Sequence, residues 1–180
     1  MADDTFFSFP NPVNEVAARV VAGGVVALAG LTVATRRPWL LAPLAFGFVA
    51  RALAGPRFSP LGRLSTEVIT PRLPFAPKYV AGPPKRFAQS IGAVFSTSAL
   101  VLAFGFRRTT AAYTLVGILG VFATLESVFG LCVGCKMFAI LMRLGLIPEE
   151  VCADCANIWD RQGRKVPNPP EGPMRHSSLP

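Results

Sequence analysis

The chain has 180 residues, enough for one domain, and 52% of them are hydrophobic whereas only 16% are charged. This composition excludes an ordinary soluble domain, and the apolar residues are collected in long uncharged blocks. The net charge of +8 would favour a nucleic-acid partner in a soluble protein. In a membrane protein, the positions of the basic residues instead indicate which loops face the cytoplasm. We therefore expect contact with membrane lipid and no nucleic acid.

The uncharged blocks predict four membrane-spanning helices. A helix needs about 20 apolar residues, and at least about 17, to cross the roughly 30 Å of hydrocarbon. We place the spans at about 13–35, 38–54, 86–106 and 110–131, and the second is the shortest. The predicted fold class is all-α, a four-helix transmembrane bundle within a membrane domain at 1–160.

The basic residues predict which way the bundle lies in the membrane. Four spans put both termini and the central loop on one side, which carries fourteen Lys and Arg residues. The opposite side carries only four, namely Arg36, Arg37, Arg107 and Arg108. By the positive-inside rule, we expect a multi-pass protein of the inner (cytoplasmic) membrane with both termini in the cytoplasm. Cytoplasmic thiols are kept reduced, so a permanent structural disulfide is not expected.

The central loop between the second and third spans is predicted to contain a short interfacial helix at about 60–70. Ser59 followed by Pro60 is typical of an N-cap and a first-turn proline. Leu61, Leu64 and Val68 then recur on one helical face. Such a helix would lie along the membrane surface.

Glu126 is the one acidic residue near the hydrocarbon region of the fourth span. An ionisable residue there is usually functional or paired. We keep both interpretations open, with Arg19 as a candidate partner for a structural ion pair.

All four cysteines fall in one 24-residue window, as the pairs Cys132/Cys135 and Cys152/Cys155. The first pair follows the fourth span, and Pro148 with the two acids after it is typical of the start of another helix. We therefore predict a helical hairpin at 132–160 that brings the two pairs together, followed by a disordered tail at 161–180.

The two pairs permit two kinds of chemistry. Four thiolates at this spacing can bind one zinc ion, or less readily iron or an iron–sulfur cluster, although the pairs look helical rather than held in the turns of a zinc ribbon. Alternatively, each pair is a dithiol that forms and exchanges disulfides. A third interpretation, inert buried thiols, fits two matched pairs poorly. The spacing by itself favours metal over exchange.

Several segments resemble one known family. They are Gly55-Pro56-Arg57-Phe58-Ser59-Pro60, the run from Gly82 to Gln89, Leu125-Glu126, and Gly130-Leu131-Cys132-Val133-Gly134-Cys135-Lys136. Over roughly residues 8–160 the chain resembles domain-of-unknown-function family 4395, small integral membrane proteins of bacteria. Its Cys-x-Gly-Cys motif after an intramembrane glutamate is matched by Glu126, Cys132, Gly134 and Cys135. The resemblance implies no established activity, but it implies association with thioredoxin-like and rhodanese-like proteins.

That association shifts the preferred interpretation to disulfide or sulfane-sulfur exchange with a thioredoxin- or sulfurtransferase-like partner. Cys132 and Cys135 would form the membrane-side pair, with Cys152 and Cys155 as the shuttling pair. Lys136 would favour the thiolate, because a nearby ammonium lowers a thiol pKa, and Glu126 would accept the proton. The competing interpretation is a non-enzymatic scaffold whose hairpin is held by zinc. A small transporter is a third idea, and few polar residues in the spans support it.

Overall fold

The structure, a computed structural model, describes residues 11–74 and 78–152. The predicted disordered tail at 161–180 lies outside these residues. The helices are α1 (Glu15–Thr35), α2 (Leu41–Ala54), α3 (Pro60–Arg63), α4 (Gly82–Phe104), α5 (Thr109–Phe129) and α6 (Val133–Arg143). A π-helical turn covers Leu64–Ile69, and 3-10 turns cover Pro38–Leu40, Gly55–Phe58, Thr70–Arg72 and Glu149–Cys152. Two short strands, β1 (Val13–Asn14) and β2 (Tyr79–Val80), pair antiparallel.

The predicted all-α fold is confirmed, with four helical segments long and apolar enough to cross a membrane. Helices α1, α4 and α5 have 21, 23 and 21 residues, or about 31–35 Å at the α-helical rise. Large apolar side chains such as Phe46 and Val94 are exposed on the outer faces, where lipid would cover them. These properties make the chain a multi-pass membrane protein.

The second and third spans differ in extent from the prediction. Helix α2 has only 14 residues, but the helical run containing it extends through short turns from Pro38 to Arg72. Helix α4 begins at Gly82, four residues before the predicted start at 86, with Pro83 and Pro84 in its first turn. Proline is tolerated there because the first amides of a helix have no partner within the helix.

The bundle packs α1 against α5 and α2 against α4, with α4 and α5 also in contact. Its core consists of small and branched residues, including Val25, Ala29, Leu44, Ala99 and Val116. At Gly92 the missing side chain leaves the space that the ring of Phe48 occupies. Such close approach is typical of membrane helix interfaces.

The helix predicted at 60–70 is present as a helical run over residues 60–72, which changes from α to π to 3-10 winding. Ser59 caps it, accepting a hydrogen bond from the Gly62 amide at 3.3 Å. The run packs on α1, where Leu61 lies over Gly24 and the Ser65 hydroxyl donates to the Ala17 carbonyl at 2.7 Å. One face of this segment is therefore buried in the bundle.

One end of the bundle collects the start of α1, the end of α2, the start of α4 and the end of α5. Contacts between Arg19 and Val128, Arg51 and Gln89, and Lys85 and Glu126 join these helix ends. We call it the cysteine end, because α6 and its thiols follow α5 there. At the opposite end, the Tyr113 hydroxyl donates to the Arg36 carbonyl at 2.7 Å.

Candidate functional site

The chain reverses sharply between the last span and the helix that carries the first cysteine pair. Gly130 ends α5 with a φ of 68°, a left-handed conformation that costs glycine little. Its amide donates to the Glu126 carbonyl at 3.0 Å, and the Leu131 amide donates to the Leu125 carbonyl at 3.1 Å. After this C-cap, two residues lead into α6, which begins at Val133.

Cys132 is the N-cap of α6. Its extended backbone, with φ −81° and ψ 103°, brings the Sγ atom to 3.4 Å from the amide nitrogen of Cys135. Sulfur thus takes the place that a Ser or Asp oxygen usually occupies at a helix start. A thiolate there accepts a hydrogen bond from the backbone and faces the positive end of the helix dipole.

Cys135 lies one turn further on, and the two cysteines are three residues apart at the start of the helix, so their side chains share one face. Both are free thiols, Cys132 buried and Cys135 half-buried. The pair therefore lies at the start of a helix that follows α5 directly in the chain.

Gly134, between the two cysteines, sets how closely α6 packs on α4. A Cβ atom at this position would lie 2.6 Å from the Cβ and 2.7 Å from the Cα of Ala88. The small size of Gly134 therefore allows the close packing of α6 on α4.

Glu126 is ion-paired, and its partner is Lys85, whose Nζ lies 2.6 Å from Oε1. The alternative pairing with Arg19 is wrong. Arg19 donates to the backbone carbonyls of Ser127 and Val128, at 3.2 and 2.8 Å, and so satisfies the end of α5. Lys85 is buried at the start of α4.

The two thiols have pKa values shifted in opposite directions. A hydrogen bond from the Cys135 thiol is the main cause that lowers the pKa of Cys132, and the Lys85 ammonium lowers it further, against burial and Glu126. The same hydrogen bond is the main cause that raises the pKa of Cys135, with burial and the charge of Cys132 adding to it. Cys132 is therefore the first thiol to ionise, with Cys135 as its proton-bearing partner.

Lys136, predicted to favour the thiolate, is exposed. The cation that acts on both thiols is Lys85. An open pocket of about 320 Å³ lies beside the thiols. Its lining residues include Lys85, Cys132, Cys135, Lys136 and Phe138. The thiol pair is thus reachable from outside the bundle.

The second cysteine pair is described only in part, because Cys155 lies outside the described residues. Cys152 ends a 3-10 turn, rather than lying on the α-helix predicted after Pro148, and it is disulfide-bonded. It is buried in an apolar cluster with Phe138 and Met142 of α6. Cys152 therefore packs against α6, the helix that carries the first cysteine pair.

The zinc alternative requires several Cys, His, Asp or Glu side chains gathered around one point. Among residues 11–74 and 78–152, no group of three or more His, Cys, Asp or Glu side chains is close enough to hold a metal ion. The sulfur of Cys152 is engaged in a disulfide and is not available as a thiolate ligand. The described residues therefore contain no assembled metal site, and the four-thiolate alternative, which includes Cys155, stays a prediction.

Sequence reasoning missed a buried polar network beside the thiols. Arg51 is only 4% exposed, with Nε donating to Gln89 and Nη1 donating to Ser59, each at 3.0 Å. Arg51 lies inside the second predicted span, at 38–54, so the rule that an ionisable residue within a span is usually functional or paired singles it out. Lys85 directly precedes the third predicted span, at 86–106, so the rule does not identify it.

The sequence model of one protein family, described as Domain of unknown function (DUF4395), matches residues 13–143. The match spans all four membrane helices and includes Cys132 and Cys135, while Cys152 follows it. No curated protein and no solved structure matches the chain.

Proposed function

We propose that this chain, which belongs to the DUF4395 family, is a dithiol exchange protein whose reactive pair is Cys132 and Cys135. One observation carries the proposal: Cys132 caps α6, with its Sγ atom 3.4 Å from the amide of Cys135. A cysteine at a helix N-terminus beside a second thiol and a cation is the arrangement of a reactive thiol rather than of an inert one.

In the proposed reaction, the Cys132 thiolate attacks one sulfur of a partner disulfide. A mixed disulfide forms, and the other partner sulfur leaves as a thiolate. Cys135 then passes its proton to the partner thiolate that left and attacks Sγ of Cys132, which releases the second partner sulfur as a thiolate and leaves a Cys132–Cys135 disulfide. Two electrons pass from the pair to the partner, and the reverse sequence oxidises the partner.

The same nucleophile supports sulfane-sulfur exchange. The Cys132 thiolate would attack the outer sulfur of a partner persulfide, the partner would leave as a thiolate, and Cys132 would carry the persulfide. A partner cysteine could then accept that sulfur. In either reaction Lys85 favours the thiolate, and Glu126 holds Lys85 in position through their 2.6 Å contact.

The second pair is proposed as the outer, shuttling pair. Cys152 is already oxidised and packs on α6, the helix that carries the reactive thiols. Exchange between the pairs would relay electrons between the membrane edge and a soluble partner. The partner we propose is a thioredoxin-like or sulfurtransferase-like protein in the cytoplasm, consistent with the excess of basic residues on the cysteine side.

The test is the alkylation rate of Cys132 as a function of pH, followed by peptide mass spectrometry on full-length protein reduced in maltoside detergent. We expect a midpoint below the usual thiol pKa of about 8.5, because Cys135 and Lys85 stabilise the thiolate. Cys135→Ala removes the hydrogen-bond donor and raises the midpoint. Cys135→Ser keeps a donor and raises it less, which makes it the matched control.

A trapping experiment tests the exchange itself. Cys135→Ser cannot resolve a mixed disulfide, so it should accumulate one with an oxidised thioredoxin-like protein, whereas Cys132→Ser should not. An alkylation midpoint at or above 8.5 that Cys135→Ala leaves unchanged would contradict the proposal. About one zinc per purified chain, lost in Cys152→Ser, would replace it with the zinc-held scaffold.

A further inference from the structure

Arg51 is a buried cation whose hydrogen-bond partners and stacked ring are all neutral, although Glu126 attracts it from a greater distance. It is 4% exposed, and its guanidinium lies 4.6 Å from the centre of the Phe48 ring. Its two hydrogen bonds go to the amide oxygen of Gln89 and the hydroxyl of Ser59. These contacts orient the guanidinium but carry no negative charge.

Within the described parts of the chain, no carboxylate forms an ion pair with Arg51. The acidic residue of this region, Glu126, is engaged with Lys85 at 2.6 Å. With the Cys132 thiol protonated, Arg51, Lys85 and Glu126 together therefore carry one positive charge in excess, and when Cys132 ionises its thiolate acts on Lys85 rather than on Arg51. Burying an unneutralised charge is costly, so a bound anion would be strongly favoured.

A cavity of about 230 Å³ opens beside these cations, between the start of α1, the end of α2 and the start of α4. Arg51 and Lys85 both line it, together with the polar side chains of Asn14, Thr66 and Tyr79. No Asp or Glu is among its described lining residues.

Apart from Gln89, the remaining wall of the cavity is apolar and includes Val13, Val21 and Pro56. A bare inorganic anion would leave this wall unfilled. A molecule that joins an anionic group to a small apolar group would use both parts of the cavity.

We propose that this cavity is a binding site for an oxyanion that carries an apolar group, with Arg51 as its principal ligand. Arginine is suited to this role because its planar guanidinium binds phosphate and carboxylate oxygens through paired hydrogen bonds. An acidic phospholipid headgroup and a soluble organic phosphate share this chemistry. The site does not depend on the thiol reaction, although Lys85 borders both the cavity and the thiol pocket.

The test uses the full-length protein and two probes. Phenyl phosphate is titrated into protein in uncharged maltoside detergent, with binding measured by calorimetry. In the second arm, phosphatidylglycerol is added stepwise to phosphatidylcholine nanodiscs, and retained lipid is counted by native mass spectrometry. Saturation in the first arm identifies a soluble ligand, and selective retention in the second identifies a lipid headgroup.

Arg51→Gln should weaken binding of the responding probe at least tenfold, because it removes the charge. The matched control is Arg57→Gln, which removes an exposed arginine from the neighbouring turn and should bind normally. If Arg51→Gln does not fold, Ala18→Leu serves instead, because it narrows the cavity and leaves both cations in place.

Either probe binding in this pattern supports the site. The proposal is overturned if neither probe saturates, or if binding survives both Arg51→Gln and Ala18→Leu. It is also overturned if uncharged phenol binds as tightly as phenyl phosphate, because the cavity would then be recognising only the apolar group.

Discussion

Replacing Lys85 by methionine removes one half of the buried ion pair that joins α4 to α5 beside the thiols. The Nζ atom lies 2.6 Å from Oε1 of Glu126, and the two side chains are only 8% and 16% exposed. The variant would leave the Glu126 carboxylate largely out of water with no ion-pair partner. Breaking a buried pair in this way lowers the free energy of unfolding by about 3–5 kcal/mol.

A double-mutant cycle measures the interaction energy between Lys85 and Glu126 separately from the cost of each single substitution. Glu126→Gln strands the Lys85 ammonium and should cost a similar amount. The double variant strands neither charge, so its stability should fall by much less than the sum of the singles. We expect a coupling free energy of about 2–3 kcal/mol between the two positions.

The chain offers a matched control in Arg63 and Glu67, an ion pair at 3.2 Å whose side chains are 62% and 60% exposed. Water screens this pair, so its coupling should not exceed about 0.5 kcal/mol. Both cycles are measured by reversible unfolding in mixed maltoside and dodecyl sulfate micelles, followed by far-ultraviolet circular dichroism. A Lys85–Glu126 coupling no larger than that of the control would refute the assignment of a strong buried pair.

Two further predictions use the same unfolding assay. Gly134→Ala should destabilise by about 1–3 kcal/mol, because the new Cβ would meet Ala88 at 2.6 Å. Gly117→Ala, whose Cβ would meet nothing within 4 Å, should stabilise the protein by about 0.5–1 kcal/mol. Equal effects of the two glycine substitutions on the free energy of unfolding would contradict the packing argument. Phe138→Ala should cost about 3–5 kcal/mol, since Phe138 is 4% exposed and packs against Phe87. A loss below about 1 kcal/mol would mean that α6 is not anchored by this side chain.

The features that could be predicted are those that a short stretch of sequence determines by itself. Span length is set by the hydrocarbon thickness, so uncharged blocks identify α1, α4 and α5 from composition. The Ser59 cap of the 60–72 run also follows from a local rule, because a side chain and the amides it caps are within three residues. By the same reasoning, a CxxC pair at a helix start is visible in sequence.

The partners of the buried charges were decided only by the tertiary structure. Lys85 and Glu126 are 41 residues apart, and Arg51 and Gln89 are 38 apart, so no periodicity links them. Their pairing follows from how α2, α4 and α5 pack at the cysteine end. A basic residue near a span end has the same sequence signature whether it faces headgroups or the bundle interior. Lys85 and Lys136 illustrate this, because only packing placed the first against the thiols and left the second exposed.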